Sequence, residues 1–532
     1  MNSEVARKAD SSVQFRTIRQ LVAIAIVFFI YSMLAGGTTH GRSPNEQSRV
    51  ELAVALAQFG SVSIDPVLAA YGTPFDRSVR NQKNYSDKAP GLSFLAVPIV
   101  WIADFILPRE GNTLFPSYWG LRHLMTLFLI VLPAALFPFI ALSQLTPVQR
   151  FKTEISLIFA ITTPILIYSG VFFGHVPAGI FAALAWMLTM EVKNHKQKQT
   201  ASKVALAGFF LAVATTIEYP TAIVGIVIFI SMAYRRFSFY LLTLFVVTCF
   251  LGLIPCLIYH QLAFGSPFTT GYAFKSDWWH GSMHQAGFFG IAIPSFESVF
   301  GILIGCKRGI FFYSPLLLLI PFGLRQMERQ SRGSSYPYLA LALMYIWFAS
   351  GFSDWQAGWS AAARHLLPCI LVFIFPFAHG FVYFFPENKR NRSSTLILLC
   401  ATSFALTTTF LSVSLSPFFP EHFSSPIGQL VLPAMVEGYF APTLLYSETS
   451  SMRGYAILFL GFLCFAAVSF SLIRILGPFK IQILLPAALI IISLLYAAVI
   501  WSLSRPLTAE EWQVRGDVLR HIGYFGKGNP KI

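Results

Sequence analysis

The chain has 532 residues, of which 55% are hydrophobic, 16% aromatic and only 11% charged, with a formal net charge of +15. Soluble domains carry about 25% charged residues, so this composition excludes a soluble globular protein and leaves no room for a large soluble domain; it defines an all-α polytopic membrane protein. The excess of Lys and Arg lies in short loops between apolar runs, the bias of cytoplasmic loops rather than of a nucleic-acid-binding face, and the six cysteines have neither disulfide nor zinc spacing.

Arg7, Lys8, Arg16 and Arg19 lead into an apolar stretch reaching Gly37. It is longer than the roughly 7–15 residues of a cleavable signal core, so it is expected as a retained first span with a cytoplasmic N-terminus. A crossing needs roughly 20 apolar residues. Runs of suitable size follow at 118–142, 153–170, 175–191, 203–217, 219–234, 239–262, 308–324, 336–352, 364–384, 395–415, 453–474 and 480–502, giving about thirteen transmembrane helices. This threading puts the basic loops around Arg150, Lys193, Arg235, Arg325, Lys389 and Arg474 inside, as the positive-inside rule requires. A further run, 91–107, would invert every later loop if it crossed. It is short and contains Pro98, so a re-entrant or interfacial helix is expected.

The transmembrane domain then covers 1–502, with a first outer loop at 38–117 and a second at 263–307, and 503–532 forms a short outer tail. Val50, Ala53, Val54, Leu56 and Phe59 fall at helical spacing behind Pro44, which predicts an amphipathic surface helix.

Chemistry-bearing residues gather in the first outer loop: Pro44-Asn45-Glu46-Gln47-Ser48-Arg49 and Tyr85-Ser86-Asp87-Lys88-Ala89-Pro90-Gly91. Charge beside a bilayer is costly and is usually functional. The bland alternatives are an acid at a helix N-terminus, worth about 0.3–1 kcal/mol, and a lysine snorkelling to the interface. Arg122 opens the second span, and Glu218 precedes the tight turn Tyr219-Pro220 on the same side. Arg364-His365, behind Trp355, Gly358 and Trp359, enters an apolar helix, where the cation needs a partner: a lipid phosphate or Asp354. His280 and His284 are four apart, but no Glu-containing metalloprotease pattern surrounds them, so no metal site is expected; contacts to a substrate or a flexible lid suit that loop better.

Several of these positions resemble a known family. Asn45-Glu46, Arg49, the turn Lys88-Ala89-Pro90 and Arg122 are similar to the first-loop pattern of the GT-C superfamily glycosyltransferases. The nearest branch contains the protein O-mannosyltransferases and the aminoarabinose transferase of lipid A. Phe264-Gly265-Ser266-Pro267, Gly271-Tyr272, Arg308-Gly309, Tyr313-Ser314-Pro315 and the stretch from Trp355 to Pro368 resemble a bacterial subgroup of it. The likeness covers most of residues 15–370.

The resemblance implies a GT-C-like bundle in the cytoplasmic (inner) membrane, with the C-terminus outside. It implies an enzyme that takes a sugar from a polyprenyl-phosphate carrier and passes it to an acceptor glycan, lipid or protein on the outer side. Such transfer needs a carboxylate to withdraw the acceptor's proton and cations at the leaving phosphate. Glu46 is the first choice for the base, with Asp65 and Asp87 as alternatives. Arg49, Tyr85, Lys88, Arg122, Glu218, Arg364 and His365 are the expected substrate-binding residues. No cofactor signature is present, and a role for a divalent metal stays open. The family commonly has Asp where this chain has Asn45, and an amide cannot take up the proton. A noncatalytic carrier-lipid-binding protein is therefore the alternative, as is a flippase or transporter, although the charged residues lie outside mid-span and no half-to-half repeat is visible.

Overall fold

The computed structural model describes residues 2–36, 43–145, 151–190, 197–276, 283, 290–384, 392–444, 450–476 and 485–522. Nearly all of the regular structure is helical, and the chain is a multi-pass membrane protein. Seven helices are long and apolar enough to cross a bilayer: Thr17–Leu34, Tyr118–Ser143, Thr200–Ile217, Phe239–Phe264, Ser393–Ser414, Met452–Leu476 and Leu485–Leu503. An eighth forms if Arg364–Val372 and Ile374–Phe384, bent by 65°, count as one span. Large apolar side chains line the interior (Ile30, Phe159, Phe172, Trp186, Phe377), and others, among them Phe250, Phe462 and Leu494, face outward. A bundle whose outer surface meets hydrocarbon has this double apolar character.

The expected continuous crossings at 153–170 and 308–324 are each interrupted at a proline. The first becomes Lys152–Thr162 followed by Ile165–Tyr168, and the second becomes Ile310–Tyr313, a 3-10 turn at Pro315–Leu319 and Ile320–Gln330. The cause in the first case is Pro164, which has no N–H for the Ala160 carbonyl and forces Thr163 into an extended conformation. Carbonyls freed inside an apolar bundle need other donors. Tyr31 Oη donates to Ala160 O at 2.7 Å, Thr409 Oγ1 to Ile161 O at 3.1 Å and Ser314 Oγ to Thr162 O at 2.7 Å. The broken helix thus ties the first span, the 310–320 segment and the Arg392–Ser414 helix together.

Gly91–Ile106 is a helix of 16 residues. At 1.5 Å per residue it reaches only about 24 Å, short of the roughly 30 Å hydrocarbon core. One of its faces packs on Pro44–Phe59 and Gln197–Ile217, while Trp101, Ile102, Phe105 and Ile106 are exposed.

The Pro44–Phe59 helix differs from a simple amphipathic one, because ten consecutive residues, Glu46 to Ala55, are buried. Its polar positions pair with neighbouring elements instead of facing water. One such element is a hairpin, Arg77–Arg80 with Lys83–Ser86, in the register Ser78↔Tyr85, turning through Asn81 and Gln82, both at positive φ. Two left-handed residues make the turn that suits hairpin twist.

The Tyr31 hydroxyl gives a test of the broken-helix account. Tyr31→Phe leaves the Ala160 carbonyl without its donor and should cost about 1–3 kcal/mol, read as a lowered thermal unfolding midpoint in detergent; an unchanged midpoint would contradict the assigned role.

Candidate active site

Glu46 and Arg122 form a fastener. Arg122 uses all five of its N–H donors: Nε and Nη2 donate to Glu46 Oε1 at 3.1 and 2.9 Å, Nη1 to Ala35 O and Gly36 O, and Nη2 also to Gly170 O. The same Glu46 oxygen accepts from the backbone N–H of Phe172 at 2.7 Å. Both side chains are about 4% exposed. They therefore lock the end of the first span, the start of the second and the 170–172 turn to one another. A cavity of about 70 Å³ lies beside them, lined by Glu46, Trp119, Arg122, Phe418, His521 and Ile522 among others.

One helical turn further on, Arg49 points elsewhere. Its Nε donates to Asn45 Oδ1 at 3.1 Å and its Nη2 to Glu218 Oε1 at 2.8 Å, while Nη1 has only a long contact, 3.4 Å, to Ala89 O. Glu218 is carried by the break between Gln197–Ile217 and Tyr219–Thr221. Gly174 makes room for it, since a Cβ there would stand 2.3 Å from Glu218 Oε1. His175 Nδ1 is 3.6 Å from that oxygen, and the His175 and His365 rings are 5.5 Å apart.

Lys88 lies between two carboxylates, with Nζ 2.8 Å from Asp76 Oδ2 and 3.2 Å from Asp87 Oδ2. Lys275 Nζ is also 3.2 Å from Asp87 Oδ2. Lys275 reaches this point because it bridges to Ser78 on the hairpin edge: Ser276 N–H donates to Arg77 O at 3.1 Å, and Ser78 Oγ to Gly271 O at 2.6 Å. Asp87 Oδ1 is buried without a hydrogen-bond partner among the described residues.

Burial alone would raise the Asp76 carboxyl, but the ammonium groups of Lys88 and Lys275 outweigh it and bring it down to about 2. Lys88, which burial would lower, is instead held above its ordinary value by Asp76 and Asp87. Burial pushes the Tyr272 phenol up to about 12, with Lys88, Glu218, Asp87 and Arg49 all within its electrostatic reach.

Arg364 completes the group. Its guanidinium lies over the Phe173 ring, 5.3 Å from the centroid, and Nε is buried with no hydrogen-bond partner among the described residues. Asp76 and His175 both feel its charge. Asp354, considered as its counter-ion, instead accepts from the Gly358 N–H at 3.2 Å.

Arg49, Asp87, Lys88, Glu218, Arg364 and His365 thus converge, together with Asp76, His175, Tyr272 and Lys275. Asp65 stands apart: its carboxylate accepts from Ser63 Oγ and from the Asn84 N–H and side-chain amide, clamping the hairpin. Burial would raise its carboxyl and these hydrogen bonds bring it below the ordinary range. Tyr85 packs edge-on against Phe264 at 5.7 Å. Glu46 and Arg122 face the neighbouring cavity. Asp76 and Lys275 belong to no motif that the sequence singles out. The one available signal was alternation around the Asn81-Gln82 turn, which lacks the usual glycine. His280 and His284 lie outside the described residues, and no group of three or more potential metal ligands occurs among the described ones.

No protein-family model matches the chain, and no curated protein matches it. Solved structures do resemble it. ArnT from Cupriavidus metallidurans bound to undecaprenyl phosphate superposes with a TM-score of 0.53 at 13% identity, covering 92% of this chain and 77% of that one. The apo state of the same protein gives 0.51 at 13% identity with the same coverage. An oligosaccharyltransferase from Archaeoglobus fulgidus in the apo form gives 0.43 at 13% identity, over 76% of this chain and 57% of that one. At these identities the likeness is one of fold: the chain shares the fold of the Cupriavidus metallidurans protein, a GT-C-like bundle.

The lowered Asp76 carboxyl gives a pH signature. A depressed acid stabilises the folded state fully above its ordinary value of 3.8, and that contribution is lost as pH falls through about 2. Thermal unfolding in detergent should show a loss of stability across that window which Asp76→Asn removes; identical pH slopes in the two proteins would contradict the pairing.

Proposed function

We propose that this protein is a membrane glycosyltransferase that moves a sugar from a polyprenyl-phosphate carrier to an acceptor at the outer face of the cytoplasmic membrane, with its N-terminus inside. The observation that carries this reading is the Arg364 guanidinium, stacked on Phe173 with no carboxylate or carbonyl partner among the described residues, beside Lys88, Lys275 and Arg49. Four cations here meet three carboxylates, Asp76, Asp87 and Glu218. An unpaired cation in a half-buried site calls for an anion, and a lipid phosphate at a bilayer interface supplies one. The GT-C fold supports the same reading.

In the transfer, the acceptor O–H gives its proton to a carboxylate, and its oxygen forms the new bond to the anomeric carbon. The bond from that carbon to the carrier phosphate breaks, and its electron pair stays on the phosphate oxygen beside Arg364 and Lys88. We assign the proton to Glu218 rather than to Glu46. Arg122 is committed by all five donors and cannot release Glu46 Oε1, whereas Arg49 has a weak third contact and can turn from Glu218 to an arriving phosphate, freeing the carboxylate. Glu46 then acts by holding the site's framework. A second reading, a noncatalytic protein that binds the same carrier, is supported by Asn45, whose side-chain oxygen accepts from Arg49 where the family commonly has an acid.

With a polyprenyl-phosphate sugar donor in reconstituted membranes, Glu218→Gln should lower turnover by about 10²–10⁴-fold while donor binding persists. Lys88→Ala should chiefly weaken donor binding. Unchanged turnover in Glu218→Gln, together with lost turnover in a folded Glu46→Gln, would transfer the base role to Glu46; donor binding without any turnover in the unaltered protein would favour the second reading.

A further inference from the structure

The C-terminal helix, Ala509–His521, is firmly attached to the bundle. It opens with a capping box between Thr508 and Glu511, Arg505 pairs with Glu511, Arg515 pairs with Glu437, and Arg453 Nη1 donates to Ile522 O at 2.8 Å. Those contacts deliver His521 and Ile522 into the wall of the cavity beside Glu46. A helix at the end of the sequence therefore meets the first outer loop.

From His521 a line of ring contacts runs to the cation cluster. The His521 ring meets Phe418 edge-on at 5.7 Å and 87°, Phe418 lies 5.8 Å from Phe173, and Phe173 carries the Arg364 guanidinium at 5.3 Å. A second connection runs through the backbone. Ser360 N–H donates to Phe419 O at 3.0 Å, Ala361 N–H donates to Pro417 O at 2.9 Å, and Arg308 Nη2 donates to Phe419 O at 3.0 Å. The 417–419 segment thus supports both the ring beneath Arg364 and the loop that delivers it.

We propose that His521 and Phe418 are positioning residues for Arg364, so that the C-terminal helix sets the affinity of the site for the carrier phosphate; this rests on the phosphate-site reading above. Arg364 has no partner among the described residues to fix its planar group other than the Phe173 face. The orientation of its donors toward a phosphate then depends on where that ring stands. Phe418 limits the ring from one side, and His521 limits Phe418. Losing either lets the ring and the guanidinium relax without removing any group that touches the phosphate.

The experiment is a binding titration of the purified full-length protein with undecaprenyl phosphate in detergent, with unfolding midpoints taken on the same samples. His521→Ala and Phe418→Ala should each weaken binding about threefold to tenfold, the range expected for one aromatic pair. His521→Phe, which keeps a ring edge against Phe418, should restore most of it, and Phe418→Leu should restore less. A merely structural role would lower the midpoint in all four variants and leave the affinity unchanged in the folded fraction, which would overturn the proposal. Failure of the unaltered protein to bind the probe would instead strike at the phosphate-site reading itself.

Discussion

One guanidinium with five committed donors holds the functional end of this bundle together. Arg122 joins the end of the first span, the start of the second and the turn after the broken helix, and Glu46 closes the arrangement by also accepting from Phe172 N–H. Burying two charges is costly unless they are paired and their remaining valences are met, and here every donor of the cation is used. The 170–175 turn fixed on one side by this pair presents Phe173, Gly174 and His175 on the other. Those residues carry Arg364, make room for Glu218 and approach Glu218 and His365, respectively.

The contrast between Arg122 and Arg364 organises the site. Both are arginines at the end of an apolar bundle, yet one is saturated and the other stacks on a ring with Nε unmet. Saturation gives rigidity and leaves no capacity for a ligand. The unmet guanidinium lies near Lys88, whose two flanking carboxylates keep it charged at any physiological pH and balance most of its cost. Arg49 stands between these extremes. It bonds Asn45 and Glu218, and under the proposed function it is the second cation, after Arg364, that a carrier phosphate would recruit.

Much of this was legible in the sequence, for reasons that differ by residue. Composition and apolar run length sufficed for a polytopic helical bundle, and the first-loop pattern pointed to the GT-C-like architecture that the fold likeness bears out. Arg49, Lys88 and Arg364 stood out because cations at a bilayer edge are few. Continuous spans at 153–170 and 308–324 misjudged Pro164 and Pro315, since run length says nothing about where freed carbonyls find donors. The 45–60 helix was read by its apolar face alone; its polar face is buried because Glu46 and Arg49 find partners 76 and 169 residues away. Asp76 and Lys275 were hidden for a similar reason. They meet only because a glycine-free hairpin turn at Asn81-Gln82 offers an edge to the 271–276 segment. The C-terminal helix, expected as a tail, owes its place to Arg453, Arg515 and Glu437, whose pairing no local pattern announces.

The central claim is that the unpaired Arg364 and its neighbours hold a carrier phosphate. Native mass spectrometry of the protein purified in mild detergent tests it directly, by weighing the lipid that stays bound. The account predicts a polyprenyl phosphate or its sugar conjugate near one per protein, lost in Arg364→Ala; bulk phospholipid alone, or a polyprenyl phosphate retained equally by Arg364→Ala, would contradict it.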